Sequence, residues 1–245
     1  MFSHLYNSII FLPLYNGLIF LMDSLPWIDA GVAVILFTII IRFILFPLSR
    51  KAIITQVKMR EIQPQLDKLK VDYKNDTKLQ GTKMMELYKN NGVNPFSSVL
   101  LIFIQLPIIY ALYTVFIRSG LPTINTSLLY SFVHAPHVTV YFLGLVDITK
   151  SSIFLSLLAA VSQYLQLEFS LRQMKKTSSG QPSNAQADMT HKMTNQMKYI
   201  FPVMIFIISY RLSAVLPLYW MTTNLFTLVQ ELVVRRKLAI QAKRP

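Results

Sequence analysis

From Ile28 to Leu48 the chain reads IDAGVAVILFTIIIRFILFPL, a run in which fourteen residues are Leu, Ile, Phe or Val and one, Arg42, places a full positive charge deep inside. A helix needs about 20 mostly apolar residues to cross the hydrocarbon core of a bilayer. An Arg at the bilayer centre costs about 2.5 to 3.5 kcal/mol on insertion scales, whereas each Leu, Ile, Phe or Val favours insertion by about 0.3 to 0.6 kcal/mol. Fourteen such residues outweigh one Arg, so the stretch inserts despite its charge.

Working outward, four more windows have the same character: Phe96 to Ile117, Ser152 to Phe169, Tyr199 to Leu216 and Pro217 to Val234. The last two abut, and Pro217, which lacks a backbone donor, is expected at or beside a tight turn between them. The composition agrees, since 53% hydrophobic against 14% charged residues is the wrong balance for a soluble core. The predicted class is therefore all-α: a polytopic membrane protein with a five-helix transmembrane core.

Charge sets the orientation. Ten Lys and Arg lie between Arg50 and Lys89, five between Arg172 and Lys198, and five between Arg235 and Arg244, leaving Arg42, Arg118, Lys150 and Arg211 elsewhere. Placing all three rich segments in the cytoplasm makes the spans alternate consistently, with the amino-terminal side and residues 119–151 outside. The net charge of +13 could suggest nucleic acid, but these charges lie between apolar runs rather than on one folded polar surface. Sequence-specific nucleic-acid binding is not expected.

Residues 1–27 form a lead-in, in which Leu5 to Met22 is apolar but interrupted by Asn7, Pro13, Asn16 and Gly17; an interfacial helix is expected there. Residues 28–245 form the core. Its cytoplasmic segment, 50–95, reads as a helical hairpin: Ile62, Leu66, Leu69 and Tyr73 share one helical face. Pro64 kinks or starts that first arm. Thr77 and Gln80 have capping-box spacing, Met84, Leu87 and Tyr88 continue an apolar face, and Asn90-Asn91-Gly92 supplies the stop. Such a hairpin is either a solvated connector or a basic arm that touches ribosome, lipid or an incoming chain. A short basic tail, 235–245, follows the last span.

Inside the spans, Arg42 either snorkels to the cytoplasmic headgroups or faces a water-filled cavity. Hydrogen-bonding company at Gln105, Gln163, Gln166, Thr222, Thr223, Asn224 and Gln230 favours the cavity, although each of these could serve ordinary interhelical bonding. No span carries an acid at mid-depth; Asp29, Glu168 and Glu231 fall near span ends. Catalysis finds little support: all four His lie outside the spans, there is no cysteine, and no glycine-rich phosphate loop occurs. His134 and His137 lack a third ligand nearby, so no metal or other cofactor is expected.

Several motifs occur together: Arg42 with Phe46-Pro47-Leu48, Gln63-Pro64-Gln65-Leu66, Met84-Met85-Glu86-Leu87-Tyr88-Lys89 before Asn94-Pro95, and Gln105-Leu106-Pro107 with Ala111-Leu112-Tyr113. Gln163-Tyr164-Leu165-Gln166 and Leu218-Tyr219-Trp220 with Asn224 follow. In this order, from about Pro13 to Arg236, the chain resembles the bacterial YidC insertases and their mitochondrial Oxa and chloroplast Alb relatives. The resemblance implies a hydrophilic groove open to the cytoplasm and to lipid but closed outside. Arg42 would be its cation, and Gln105, Gln163, Gln166, Tyr219, Trp220 and Asn224 would line it, with Pro64, Met84, Met85 and Tyr88 in the hairpin. Polar tails of client membrane proteins would pass through the groove while their apolar segments slide into lipid, with no fuel consumed by this chain. Implied partners are newly made membrane proteins and the bilayer, with the ribosome, the signal recognition particle pathway and the Sec translocon as further candidates. The implied place is a bacterial cell membrane, with the carboxy terminus cytoplasmic. The chain reads as a minimal form, without the large outer domain and extra first span of Gram-negative members. The fourth turn departs from the family, with Arg211-Leu212-Ser213-Ala214 in place of a Phe-Pro-x-Gly-Leu pattern. A small transporter or channel could use the same polar span residues, but the internal repeats and mid-membrane acids expected of one are not found.

Overall fold

The computed structural model describes residues 5–94, 97–117, 123–175 and 185–241. Pro95 and Phe96, at the start of the second predicted span, Arg118, and the tail beyond Gln241 lie outside the described residues, as do residues 1–4 of the lead-in.

The described chain is mostly helical. A π-turn at Asn7–Phe11 runs into α1 (Leu12–Ser24), followed by α2 (Ala30–Ile44), α3 (Phe46–Glu61), α4 (Gln63–Asp72), α5 (Thr77–Asn90) and α6 (Ser97–Ile117). The segment between α6 and α7 holds a short hairpin, β1 (Tyr141–Phe142) against β2 (Val146–Asp147), antiparallel with Phe142 opposite Val146. Then come α7 (Ile153–Lys175), α8 (Ala185–Arg211) and α9 (Val215–Gln241). The central helix is α9, which packs against α2, α3, α6 and α7; α8 sits outside, against α7.

Two prolines punctuate the bundle. The helix of the opening stretch ends at Ile44 rather than Leu48, and α3 departs at 64°. In an unbroken helix Pro47 would clash with the carbonyl of Phe43 and remove a hydrogen bond. Placed in the first turn of a new helix, it loses nothing. Pro217 acts likewise against Ser213: α8 stops at Arg211, the turn falls at 212–214, and α9 begins at Val215 with Pro217 in its first turn. The turn therefore precedes Pro217 by several residues, and α9 continues to Gln241.

The predicted two-arm hairpin contains three helices, because α3 leads from the elbow to Glu61 before α4 starts. Pro64 is in the first turn of α4, and α4 and α5 close on Ile62, Leu66 and Val93, with Met59, Met84, Leu87 and Tyr88 around them. The expected capping box is not formed. Asp76 is the N-cap of α5 and accepts from the Leu79 amide at 2.9 Å, since a carboxylate satisfies this amide and also complements the helix dipole. Gln80 turns away and donates to the carbonyl of Lys70 at 3.0 Å, tying α5 to the end of α4.

At the other end, α1 packs on α2 and α6 and buries Phe11, Tyr15, Leu18, Ile19 and Met22. Asn16 is not a mere interruption: it donates to the carbonyls of Leu12 and Leu128, each at 2.9 Å, and accepts from the Tyr130 amide at 2.6 Å. A Cβ on Gly17 would lie 3.0 Å from the Phe37 ring, which explains the small residue where α1 crosses α2. The main apolar core runs from α1 through Val34, Phe37, Ala111, Leu112, Val115, Val215 and Leu218 to Ile41.

Candidate functional site

Arg42 lies in the last turn of α2, one turn from the elbow, and its side chain is half-buried. Its Nη2 donates to Gln105 Oε1 on α6 at 2.9 Å. The amide of Gln105 in turn donates to the hydroxyl of Tyr219 on α9, a side chain only 2% exposed. Three helices thus meet at one polar chain immediately below the apolar core. Among the described residues no carboxylate lies within ion-pair distance of Arg42. A guanidinium has five N–H donors, and Gln105 and the Tyr219 hydroxyl meet only part of them, so the group retains capacity for water or an anionic guest.

The other residues singled out in the sequence fall around this chain but are not bonded to it. Asn224 is buried and donates to Ser162 Oγ on α7 at 3.1 Å. Gln163 and Gln166 are half-buried and face each other across one turn of α7 at 3.4 Å. Trp220 packs, half-buried, against the main core. In the hairpin, Met84 and Tyr88 support its small core, whereas Met85 is 53% exposed.

Further along the same helices, polar contacts that sequence reasoning missed tie neighbouring helices together. Gln230 donates to Ser49 Oγ at 2.6 Å and so ties α9 to the start of α3. Glu231, 2% exposed, accepts from Arg235 at 2.5 Å and from Ser170 at 3.2 Å. Glu168 of α7 pairs with Lys198 of α8 at 2.5 Å, and the Lys198 ammonium stands 4.8 Å from the Tyr199 ring centroid. Ser162 and Ser170 gave only a faint signal as small polar residues on α7, and Ser49 gave none among the charged residues of α3. His134 meets Asp23 at 3.5 Å and is exposed.

Fold and site together define a class: an α-helical membrane protein with a half-buried cation bridged to polar partners on neighbouring helices. Residues 21–242 match the model of the family described as 60Kd inner membrane protein, and the chain belongs to that family, the YidC, Oxa and Alb group that its motifs resemble. It is 35% identical over 207 residues to the membrane protein insertase YidC of Fusobacterium nucleatum, an overlap of 84% of this chain and 86% of that one. To the membrane protein insertase YidC of Clostridium tetani it is 32% identical over 237 residues, covering 96% of this chain and 94% of the relative. A third, from Clostridium perfringens, is 34% identical over 199 residues, 81% and 75% of the two chains.

Proposed function

We propose that this chain is a membrane-protein insertase of the cell membrane, and that the Arg42, Gln105 and Tyr219 contact marks the floor of its client groove. The observation that carries the reading is the position of a cation without a carboxylate partner just beneath a continuous apolar core. The core seals the outer half; the elbow and the polar inner ends of α3, α7 and α9 lie on the other side.

In this reading α2, α6, α7, α8 and α9 are the five spans. Of these, α7 is long and apolar enough to cross a membrane alone over Ile153–Arg172, and α2 passes only together with bent α3. The amino-terminal side is outside, and the hairpin and carboxy terminus are cytoplasmic, with α1 resting on the outer end of the bundle. A client's polar tail enters the groove, where Arg42 attracts acidic groups and Gln105, Gln163, Gln166, Tyr219, Trp220 and Asn224 contribute to the lining. The hydrated pocket shortens the path over which a polar backbone would lack partners. The client's apolar segment meanwhile moves along the exposed flanks of α6 and α8, at Leu106, Tyr110, Val203, Met204 and Ile207. Its burial in lipid supplies the driving force, and this chain hydrolyses no nucleotide. The basic hairpin, through Pro64, Met84, Met85 and Tyr88, receives clients from the ribosome, the signal recognition particle pathway or the Sec translocon.

Because the chain has no cysteine, Arg42→Cys provides a unique thiol. In native membranes this thiol is expected to react with small polar thiol reagents. Resistance to them, with reaction only towards apolar ones, would remove the groove.

A further inference from the structure

The length of α2 leaves a gap in its passage through the bilayer. Its 15 residues span about 22 Å at 1.5 Å per residue, against a hydrocarbon core of about 30 Å. The remaining depth of about 8 Å is met by the first turn of α3 beyond the elbow, by what stands at the outer end of α2, or by thinning of the bilayer.

What stands at the outer end is apolar. Asp29, the N-cap of α2, accepts from the Val32 amide at 2.9 Å and from the Leu143 amide at 3.0 Å, holding the β1–β2 turn level with the first turn of α2. The backbone of Ala30 also donates to Thr139 at 2.9 Å, and a Cβ on Gly31 would overlap Phe142 at 2.5 Å. The turn is therefore docked against the helix. It nevertheless displays Leu143, 63% exposed, and Leu145, 83% exposed, beside Trp27, 78% exposed. Leu143 has φ of +52°, a left-handed conformation that branched and bulky residues rarely adopt. An Asn or Gly would suit that backbone better in water. Phe20 and Phe132, 49% and 64% exposed with ring centroids 6.4 Å apart, form a further exposed apolar pair. Trp and Tyr favour the membrane interface, and an apolar tip left in water is unfavourable in proportion to its area.

We propose that this outer rim is immersed in the outer leaflet, with the turn at Leu143 and Leu145 entering the headgroup and upper acyl region of the phospholipids beside Trp27. The inference rests on the placement of the α2 amino terminus at the outer face of the bilayer. Immersion makes up the short reach of α2 and holds α2, and with it Arg42, at a fixed depth.

The test uses Leu145→Cys carrying an environment-sensitive fluorophore in the reconstituted full chain, with Leu79→Cys on exposed α5 as the aqueous control. Lipids spin-labelled high on the acyl chain are expected to remove most of the emission at position 145, while iodide removes little; position 79 should show the reverse. If position 145 behaves like position 79, the tip is in water and the proposal fails. If neither quencher reaches it, a protein surface covers the tip, and the proposal fails equally. Depth is read from the nearer leaflet whichever way the protein inserts. Labelling of Lys150→Cys, whose position at the end of the same segment has a 77% exposed side chain, in intact cells by an impermeant thiol reagent tests sidedness separately, so an error of topology is distinguishable from a lack of immersion.

Discussion

Arg42 is the residue on which the functional reading turns, and its partners explain how it is held. A hydrogen bond to a charged donor is worth about 1.5 to 3 kcal/mol, and a buried group stripped of its partner loses a similar amount. Arg42→Ala would leave Gln105 without its donor, and Arg42→Glu would reverse the charge facing a client. Both are expected to reduce insertion of clients with acidic tails by roughly tenfold, equivalent to about 1.4 kcal/mol, with clients bearing neutral tails affected less. Equal loss for both kinds of tail, measured by protease protection of the client, would remove the electrostatic role. The sequence marks Arg42 and Gln105 as polar residues in apolar runs, and Tyr219 through a family motif. It does not join them, because the contacts close over separations of 63 and 114 residues and depend on how three helices pack.

Among the elements, the turn beside Pro217 was legible, whereas the elbow before Pro47 was not, the opening span being read unbroken to Leu48. A proline does not by itself announce a break, since Pro107 and Pro202 lie inside α6 and α8; where the chain does break, at Pro47 and Pro217, proline acts on the carbonyl four residues back, so each break falls on its amino-terminal side. Similarly, Thr77 and Gln80 had the spacing of a capping box while Asp76, one residue earlier, offers the stronger acceptor. The N-cap of α2 was visible only as an acid near a span end. Asp29 accepts two backbone hydrogen bonds, one from its own helix and one from the β1–β2 turn. Asp29→Ala is expected to lower stability by about 1 to 2 kcal/mol, the range for loss of a good N-cap. A melting curve in mild detergent would register this as a lower Tm, whereas an unchanged Tm would mean that the cap contributes nothing to the bundle.

At the scale of the molecule, two distributions do different work. Twenty of the twenty-four Lys and Arg lie in three segments between or after the apolar runs, whereas Arg42 lies within one. Alternating apolar and basic segments made the helical membrane architecture legible. The position of α9 at the centre, with α8 outside against α7, was not legible, since both helices are apolar and neither announces its neighbours. The Gln230 and Ser49 contact joins this central helix to the first turn of α3, the helix that leads from the elbow beside Arg42 to the hairpin. The central claim is that the whole chain inserts proteins without conducting solutes. Its most direct measurement is reconstitution of the pure protein in liposomes with a short-tailed, single-span client, following protease-protected client and ion and solute flux side by side. The account predicts protected client above the level of protein-free liposomes, without nucleotide, and no added flux; flux without insertion would contradict it.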